Sequence, residues 1–462
     1  MKVLILQAAL KRRMIAPVAR SMVLATIVLL AAGAPSRAQD STTITMTDAI
    51  RIALERNTTI ERARNAIEIS RQRVVQAEGA FLPNLSLGVS PSERISLGRS
   101  DSLGRSDRFS TGLSLSASSG MTLYSGGANE SALAQAEGQI RVDTLELERT
   151  RATIVFNVVS AFTQLLSERE LVGVERENLA AQRKLLDRVE AFTTAGVRPV
   201  GELYTQRAQV ASAELRLVNA ESAVEFSNLR LRQLLRLGPG ERYRFVETGV
   251  GTGATPSAPS ISTAEVLVSQ ALARRNDLSA QQARIDLANE AIRGARAGYK
   301  PTISLNTSFG TSYSSSDANS GFVEQLALDR PAISIGVGLT LPLFDRNRTD
   351  AAVAIAEAQL KNEQLALDDL KQSISVEVEQ AYLEYATTLK QIEVSERQVE
   401  AARQALEAET ARYEVGASTL TEVIQARVAL LTAETSRLQA RNTLVLRRWA
   451  LDYYVGSPVT GR

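Results

Sequence analysis

A chain of 462 residues that is 44% hydrophobic, 23% charged and 5% aromatic can bury a large core, and its length suits two or three domains. It has no cysteine and no histidine, which together exclude thiol and imidazole nucleophiles, disulfides, zinc-finger ligands, haem axial histidine and Ser-His-Asp triads. The formal charge of +2 conceals six cations and no acid in the first 38 residues; the remaining 47 basic and 51 acidic groups form a mildly acidic chain, which argues against a nucleic-acid partner.

Residues 1–38 read as an export signal. Basic residues up to Arg20 precede the apolar run from Met22 to Ala32, and Ser36-Arg37-Ala38 offers small residues at both recognition positions of a cleavage site. The run is short for a membrane span, and no later segment approaches about 18 uninterrupted apolar residues, so no transmembrane helix is expected.

Beyond the signal the chain repeats itself at an offset of about 220 residues. Leu123-Tyr124-Ser125-Gly126 corresponds to Leu343-Phe344-Asp345-Arg346, and Gly196, Glu202 and Arg207 to Gly416, Glu422 and Arg427. The Gly79-to-Pro83 junction corresponds to Gly298-Tyr299-Lys300-Pro301. The first half (39–237) predicts a helix over 46–80, strands over 84–97 and 108–124, a long helix over 127–195 and another over 199–237. A segment rich in glycine and proline, 238–262, links it to the second half (263–462). There the same order gives a helix over 263–298, strands over 302–314 and 332–344, and helices over 347–415 and 419–455.

The long helices carry a seven-residue period: Leu165, Val172, Leu179 and Leu186 in one half, Tyr385, Ile392, Val399 and Leu406 in the other. So narrow a seam predicts coiled-coil packing against partner helices. A helix over 127–195 would rise about 100 Å at 1.5 Å per residue. In the strands, Ile333, Ile335, Val337, Leu339 and Leu341 alternate with Ser334, Gly336, Gly338 and Thr340. Membrane-barrel strands alternate in this way, and so does a soluble hairpin with one buried face. Four strands are too few to close a barrel, which needs about eight; three chains would supply twelve.

These features resemble the TolC-like outer-membrane efflux protein family. The likeness is carried by the junctions at Pro83 and Pro301, by Leu343-Phe344-Asp345, and above all by Tyr413-Glu414-Val415-Gly416 followed by Thr419, Glu422, Val423 and Ala426. The resemblance implies a fold that is mainly α with a membrane β-barrel part: a long α-helical coiled-coil barrel plus four strands per protomer of a trimeric 12-stranded barrel. It implies a homotrimer in outer-membrane lipid with a periplasmic extension. Its implied partners are a periplasmic adaptor (membrane fusion protein) and an inner-membrane transporter of an efflux or type I secretion system.

By the same resemblance Glu422 faces the narrow end of the pore, and Gln425 stands where a second acid occurs in the family's pattern. Glu202 and Tyr413 resemble the groups that tie neighbouring hairpins in the closed state. Ser418 replaces an arginine that strengthens the tie in some relatives, so here the tie is looser or built differently. Gly196-Val197 and Gly416-Ala417 are candidate adaptor contacts, since glycine at a helix end accepts left-handed geometry and lets a partner approach the backbone.

A periplasmic coiled-coil adaptor or scaffold is the alternative; adaptors carry one hairpin, whereas here the whole unit is duplicated. No glycine-rich phosphate loop, metal cluster or activated nucleophile is legible, so no catalytic residue, cofactor or metal is expected. Asp368-Asp369 and the pair Glu377 and Glu379 read as solvated helix faces. The cargo is not legible.

Overall fold

A computed structural model describes residues 42–100, 104–238, 243–246, 263–317 and 320–457. The expected export signal and most of the linker lie outside them. Among the described residues no helix is long and apolar enough to cross a membrane.

The chain divides into two compact units. The smaller contains a parallel pair, β1 (Thr42–Ile44) and β4 (Tyr243–Phe245), with Ile44 opposite Phe245. Three residues are too few to display a period, and β4 falls within the segment read as a linker, so neither strand is legible in the sequence.

The larger unit runs α1 (Met46–Arg56), α2 (Thr58–Gly79), β2 (Ser86–Ser100), β3 (Gly104–Tyr124), α3 (Ala128–Thr194) and α4 (Val200–Leu235). It continues with α5 (Ala264–Arg274), α6 (Asn276–Arg296), β5 (Thr302–Ser314), the short α7 (Phe322–Glu324), β6 (Ala332–Thr340), α8 (Arg348–Glu414) and α9 (Leu420–Val455). Helices α3 and α8 each have 67 residues, and α4 and α9 each have 36. Strand β6 stops short of the expected 344 because Pro342 follows and cannot donate to a ladder.

The heptad seam faces inward: Leu165, Leu179, Tyr385, Val399 and Leu406 are all buried. Helix α3 packs on α4, α8 on α9, and α6 lies against both long helices. The interior is therefore a set of narrow helix–helix seams, as a seven-residue period requires.

The expected single helices over 46–80 and 263–298 are each broken by one extended residue, Asn57 (φ −71°) and Arg275 (φ −70°). Asn57 ends α1 and caps α2, its side-chain oxygen accepting from Thr59 N–H at 2.8 Å. Arg275 makes no such cap. Its side chain is 3% exposed, and its guanidinium donates to Asp277 and to Glu377, each at 2.6 Å. Glu377, itself 37% exposed, is thus paired with a buried arginine, which the reading of that position as a solvated face did not include. Burial raises the Asp277 pKa, but the hydrogen bonds and charge of Arg275, helped by Arg149, outweigh it and hold the carboxyl below its ordinary range. Arg149 in turn lies 4.4 Å from the centre of the Tyr453 ring, so two arginines, Arg149 and Arg275, share Asp277 and link charged and aromatic groups of α3, α6, α8 and α9.

The four longer strands form one antiparallel sheet in the order β2-β3-β5-β6. Register makes its two faces chemically distinct. Leu87, Ala117, Phe309 and Ile333 lie side by side across one face, and Ser86, Ser118, Ser308 and Ser334 across the other. The large apolar groups are bare: Leu87 is 80% exposed and Ile333 73%. Among the described residues, alternation therefore reflects a sheet whose greasy side is exposed at Leu87 and Ile333 and not packed on the helices of a core.

Candidate functional site at the helix breaks

The turn after α3 and the turn after α8 have the same construction. Gly196 and Gly416 adopt φ of 72° and 79°. Gly196 N–H donates to Thr193 O at 3.0 Å and Val197 N–H to Phe192 O at 2.9 Å. Gly416 N–H donates likewise to Tyr413 O at 3.1 Å and Ala417 N–H to Arg412 O at 2.8 Å. These paired bonds close the last helical carbonyls, and the left-handed residue they need is why glycine stands at both places. A Cβ at either glycine would touch nothing within 4 Å, so backbone conformation alone selects it. Gly196, Val197, Gly416 and Ala417 are all exposed.

The helices that follow begin differently. Helix α4 follows Pro199, which supplies no side-chain cap. Helix α9 begins with a capping box in which Thr419 N–H donates to Glu422 Oε2 at 2.8 Å and Glu422 N–H returns to Thr419 Oγ1. Ser418 Oγ donates to the same Glu422 oxygen at 2.6 Å, with Glu409 as alternative acceptor at 2.7 Å. Ser418, and after it the Thr419 backbone and hydroxyl, hold the Glu422 carboxyl below its ordinary pKa. Glu422 and Gln425 are both exposed on α9.

The two breaks meet around Tyr413. Its ring is 1% exposed in a cluster with Leu185, Val189, Leu406, Leu420 and Val423, and its hydroxyl donates to Glu202 Oε2 at 2.7 Å. Burial first, then the hydrogen bond and charge of Glu202, push the phenol pKa well above 10. Two residues named from the sequence are therefore joined, although 211 positions separate them.

Arg198 completes the contact, and the sequence reading did not single it out. Its guanidinium stacks 4.5 Å from the Tyr413 ring centre and lies 3.8 Å from Glu202 Oε1. It donates to the carbonyls of Tyr413 at 3.0 Å and Ser418 at 3.4 Å. Arg198 corresponds in the repeat to Ser418, the position noted for lacking an arginine. The cation is present on the opposite hairpin, and aligning the two halves at that one position was the signal available. Nothing in this arrangement pairs a nucleophile with a base; it is a tie between two helical hairpins.

A family model described as outer membrane efflux protein matches residues 49–235 and 267–457. The chain belongs to the outer membrane efflux protein family. It is 28% identical over 399 residues to the pyoverdine export outer membrane protein OpmQ of Pseudomonas putida, covering 84% of this chain and 81% of that one. Among solved structures, the outer membrane protein VceC of Vibrio cholerae superposes with a TM-score of 0.75 at 20% identity, covering 89% of this chain and 96% of that one. The CmeC outer membrane channel of Campylobacter jejuni gives 0.76 at 16% identity, covering 92% and 90%. The fold is that of this family, a coiled-coil helical part joined to a membrane β-barrel part, and the chain is an outer-membrane protein.

Proposed function

We propose that three copies of this chain form an exit duct that carries substrates from an inner-membrane transporter and a periplasmic adaptor to the outside. The observation that carries this reading is the sheet: four strands with a bare apolar face, and outer strands β2 and β6 each paired on one side only. Lipid tolerates neither open edges nor unpaired backbone, and three such sheets joined edge to edge give a closed wall of twelve strands. Helices α3 and α8, at about 100 Å each, supply a periplasmic extension. The division into signal 1–38, repeats 39–237 and 263–462 and connecting segment 238–262 belongs to the same reading.

In this duct the helix breaks are the closed end. Glu422 contributes one carboxylate per chain to a ring, with neutral Gln425 one turn further on, and the ring favours cations. Tyr413 and Glu202 hold the hairpins shut, and Gly196-Val197 with Gly416-Ala417 are the surfaces an adaptor grips. The Pseudomonas relative is named for pyoverdine export, which makes pyoverdine one candidate cargo here, though the pump and adaptor make the selection.

Purification from outer membranes in detergent, with mass measured by light scattering, tests the assembly. A trimer that dissociates on heating is expected; a water-soluble monomer would remove the reading.

A further inference from the structure

The segment between β5 and β6 folds back over the apolar face of the sheet. Thr311 and Tyr313 stand on that face, opposite Leu115 and Leu113 of β3. The Thr311 hydroxyl donates to Leu326 O at 2.7 Å, and the Phe322 ring meets Tyr313 edge-on with centroids 4.9 Å apart. Thr311 is buried as a result, and Leu113, Leu115 and Tyr313 beside it are half-buried, whereas Phe309, two positions earlier on the same face, is 41% exposed.

Gln325 holds the segment in this position. Its side chain is fully buried, accepting from Ser314 N–H at 2.9 Å and donating to Ser320 O at 2.8 Å. Arg330 is paired with Asp317 at 2.6 Å. With these polar groups satisfied internally, Phe322, Val323 and Leu328 project outward, 50%, 72% and 76% exposed.

Height decides what they meet. From Ile303 to Tyr313 a strand rising about 3.3 Å per residue and tilted some 40° climbs roughly 25 Å, the height of the apolar band of a membrane barrel. Tyr313 and Phe322 therefore stand at the outer margin of that band, where an aromatic girdle belongs. The other face of β5, with Ser308, Gly310 and Ser312, is polar and small and suits a lumen.

We infer that residues 320–330 are an interfacial anchor, seating Phe322, Val323 and Leu328 at the boundary between acyl chains and headgroups of the outer leaflet. The occupant is lipid because the patch continues the lipid-facing side of β5 and β6. The inference rests on the barrel reading and extends it from the strands to a connecting segment.

The absence of native cysteine makes the test clean. Val323→Cys, Leu328→Cys, Ile335→Cys and Glu396→Cys, each labelled with an environment-sensitive fluorophore, are reconstituted in vesicles containing brominated phospholipid. The anchor requires Val323→Cys and Leu328→Cys to be blue-shifted and quenched as strongly as Ile335→Cys on β6, with Glu396→Cys on α8 unquenched. Quenching at Ile335→Cys alone would overturn the anchor and leave the barrel standing. Loss of quenching at Ile335→Cys as well would overturn both.

Discussion

Tyr413 reaches Glu202 with its hydroxyl at 2.7 Å while its ring stays packed among leucines and valines, so a single side chain serves both as core and as tie. Tyr413→Phe separates these roles. It leaves the ring in place, removes the donor to a carboxylate, and is expected to cost about 1.5–3 kcal/mol and raise passive conductance in planar bilayers. The phenol pKa is raised on folding, so its contribution to stability is complete below the ordinary value of 10 and is lost as pH climbs through the folded value. Thermal melts of the wild type should hold to pH 10 and decline above it more steeply than those of the Phe variant. Parallel curves would remove the tie.

Arg198 donates to both carbonyls from one nitrogen, Nη2, while its planar guanidinium lies over the Tyr413 ring, a stacking that a lysine ammonium does not reproduce. Arg198→Ala is expected to raise conductance more than Tyr413→Phe does, since it removes bonds to two carbonyls, the approach to Glu202 and the ring contact from a side chain only 16% exposed, where Tyr413→Phe removes one bond. Arg198→Lys keeps the charge and should recover only part of the closed state. Wild-type conductance in Arg198→Ala would show the cation to be incidental.

Glu422 sets a pH window. Hydrogen bonds from Ser418, then from Thr419, depress its pKa, so both its charge and its cap on α9 persist above the ordinary carboxylate value of 4.5 and vanish as pH falls through the lower folded value. Cation preference, read as reversal potential in a salt gradient, should stay level from neutral pH to 4.5 and collapse only below it. Glu422→Gln should show no preference at any pH, and Gln425→Glu a stronger one.

At the break between α5 and α6, Arg275→Met keeps most of the packing but removes the cation that Glu377 and Asp277 share, leaving Asp277 with Arg149 alone. Breaking a buried pair costs about 3–5 kcal/mol, and the partial exposure of both carboxylates places this case near 3. The melting temperature should drop clearly, and Arg275→Met with Glu377→Leu should recover part of the loss by removing one orphaned charge. A double variant no more stable than the single would show that Glu377 is not a partner.

Helix ends were legible where sequence carried a mechanism. The seven-residue seam through Leu165 and Leu179 and the glycines at 196 and 416 placed the long helices within a residue or two of their observed bounds, because the period and the left-handed cap each have a single structural solution. The breaks at Asn57 and Arg275 were not legible, since apolar periodicity runs through them and one extended residue alters no spacing. At the site, Tyr413 and Glu202 are legible as a pair through the family resemblance, while Arg198 is not. An arginine beside a proline in a turn looks like solvated surface until the other hairpin is placed against it.

The strand-to-helix junctions offer the sharpest test of how the two halves diverged. Gly126 and Gly127 before α3 have φ of 70° and 99°, and the corresponding Arg346 and Asn347 before α8 have φ of 59° and 60°. The backbone is left-handed in both halves, so conformation alone does not explain why one uses glycine. Space does. A Cβ at Gly126 would lie 2.7 Å from Ala297 O and 2.9 Å from Lys300 Cβ, and the first of these is backbone that cannot step aside. The left-handed cost of about 1–2 kcal/mol for a side chain is common to both positions, and only position 126 adds a collision. Gly126→Arg, which installs the residue of the other half, should therefore reduce the yield of folded protein and its melting temperature severely. Arg346→Gly should change stability by less than about 1 kcal/mol, because relief of strain is offset by the greater freedom of glycine in the unfolded chain. Equal effects of the two exchanges would mean that the junctions are sterically alike and that glycine at 126 reflects backbone conformation only.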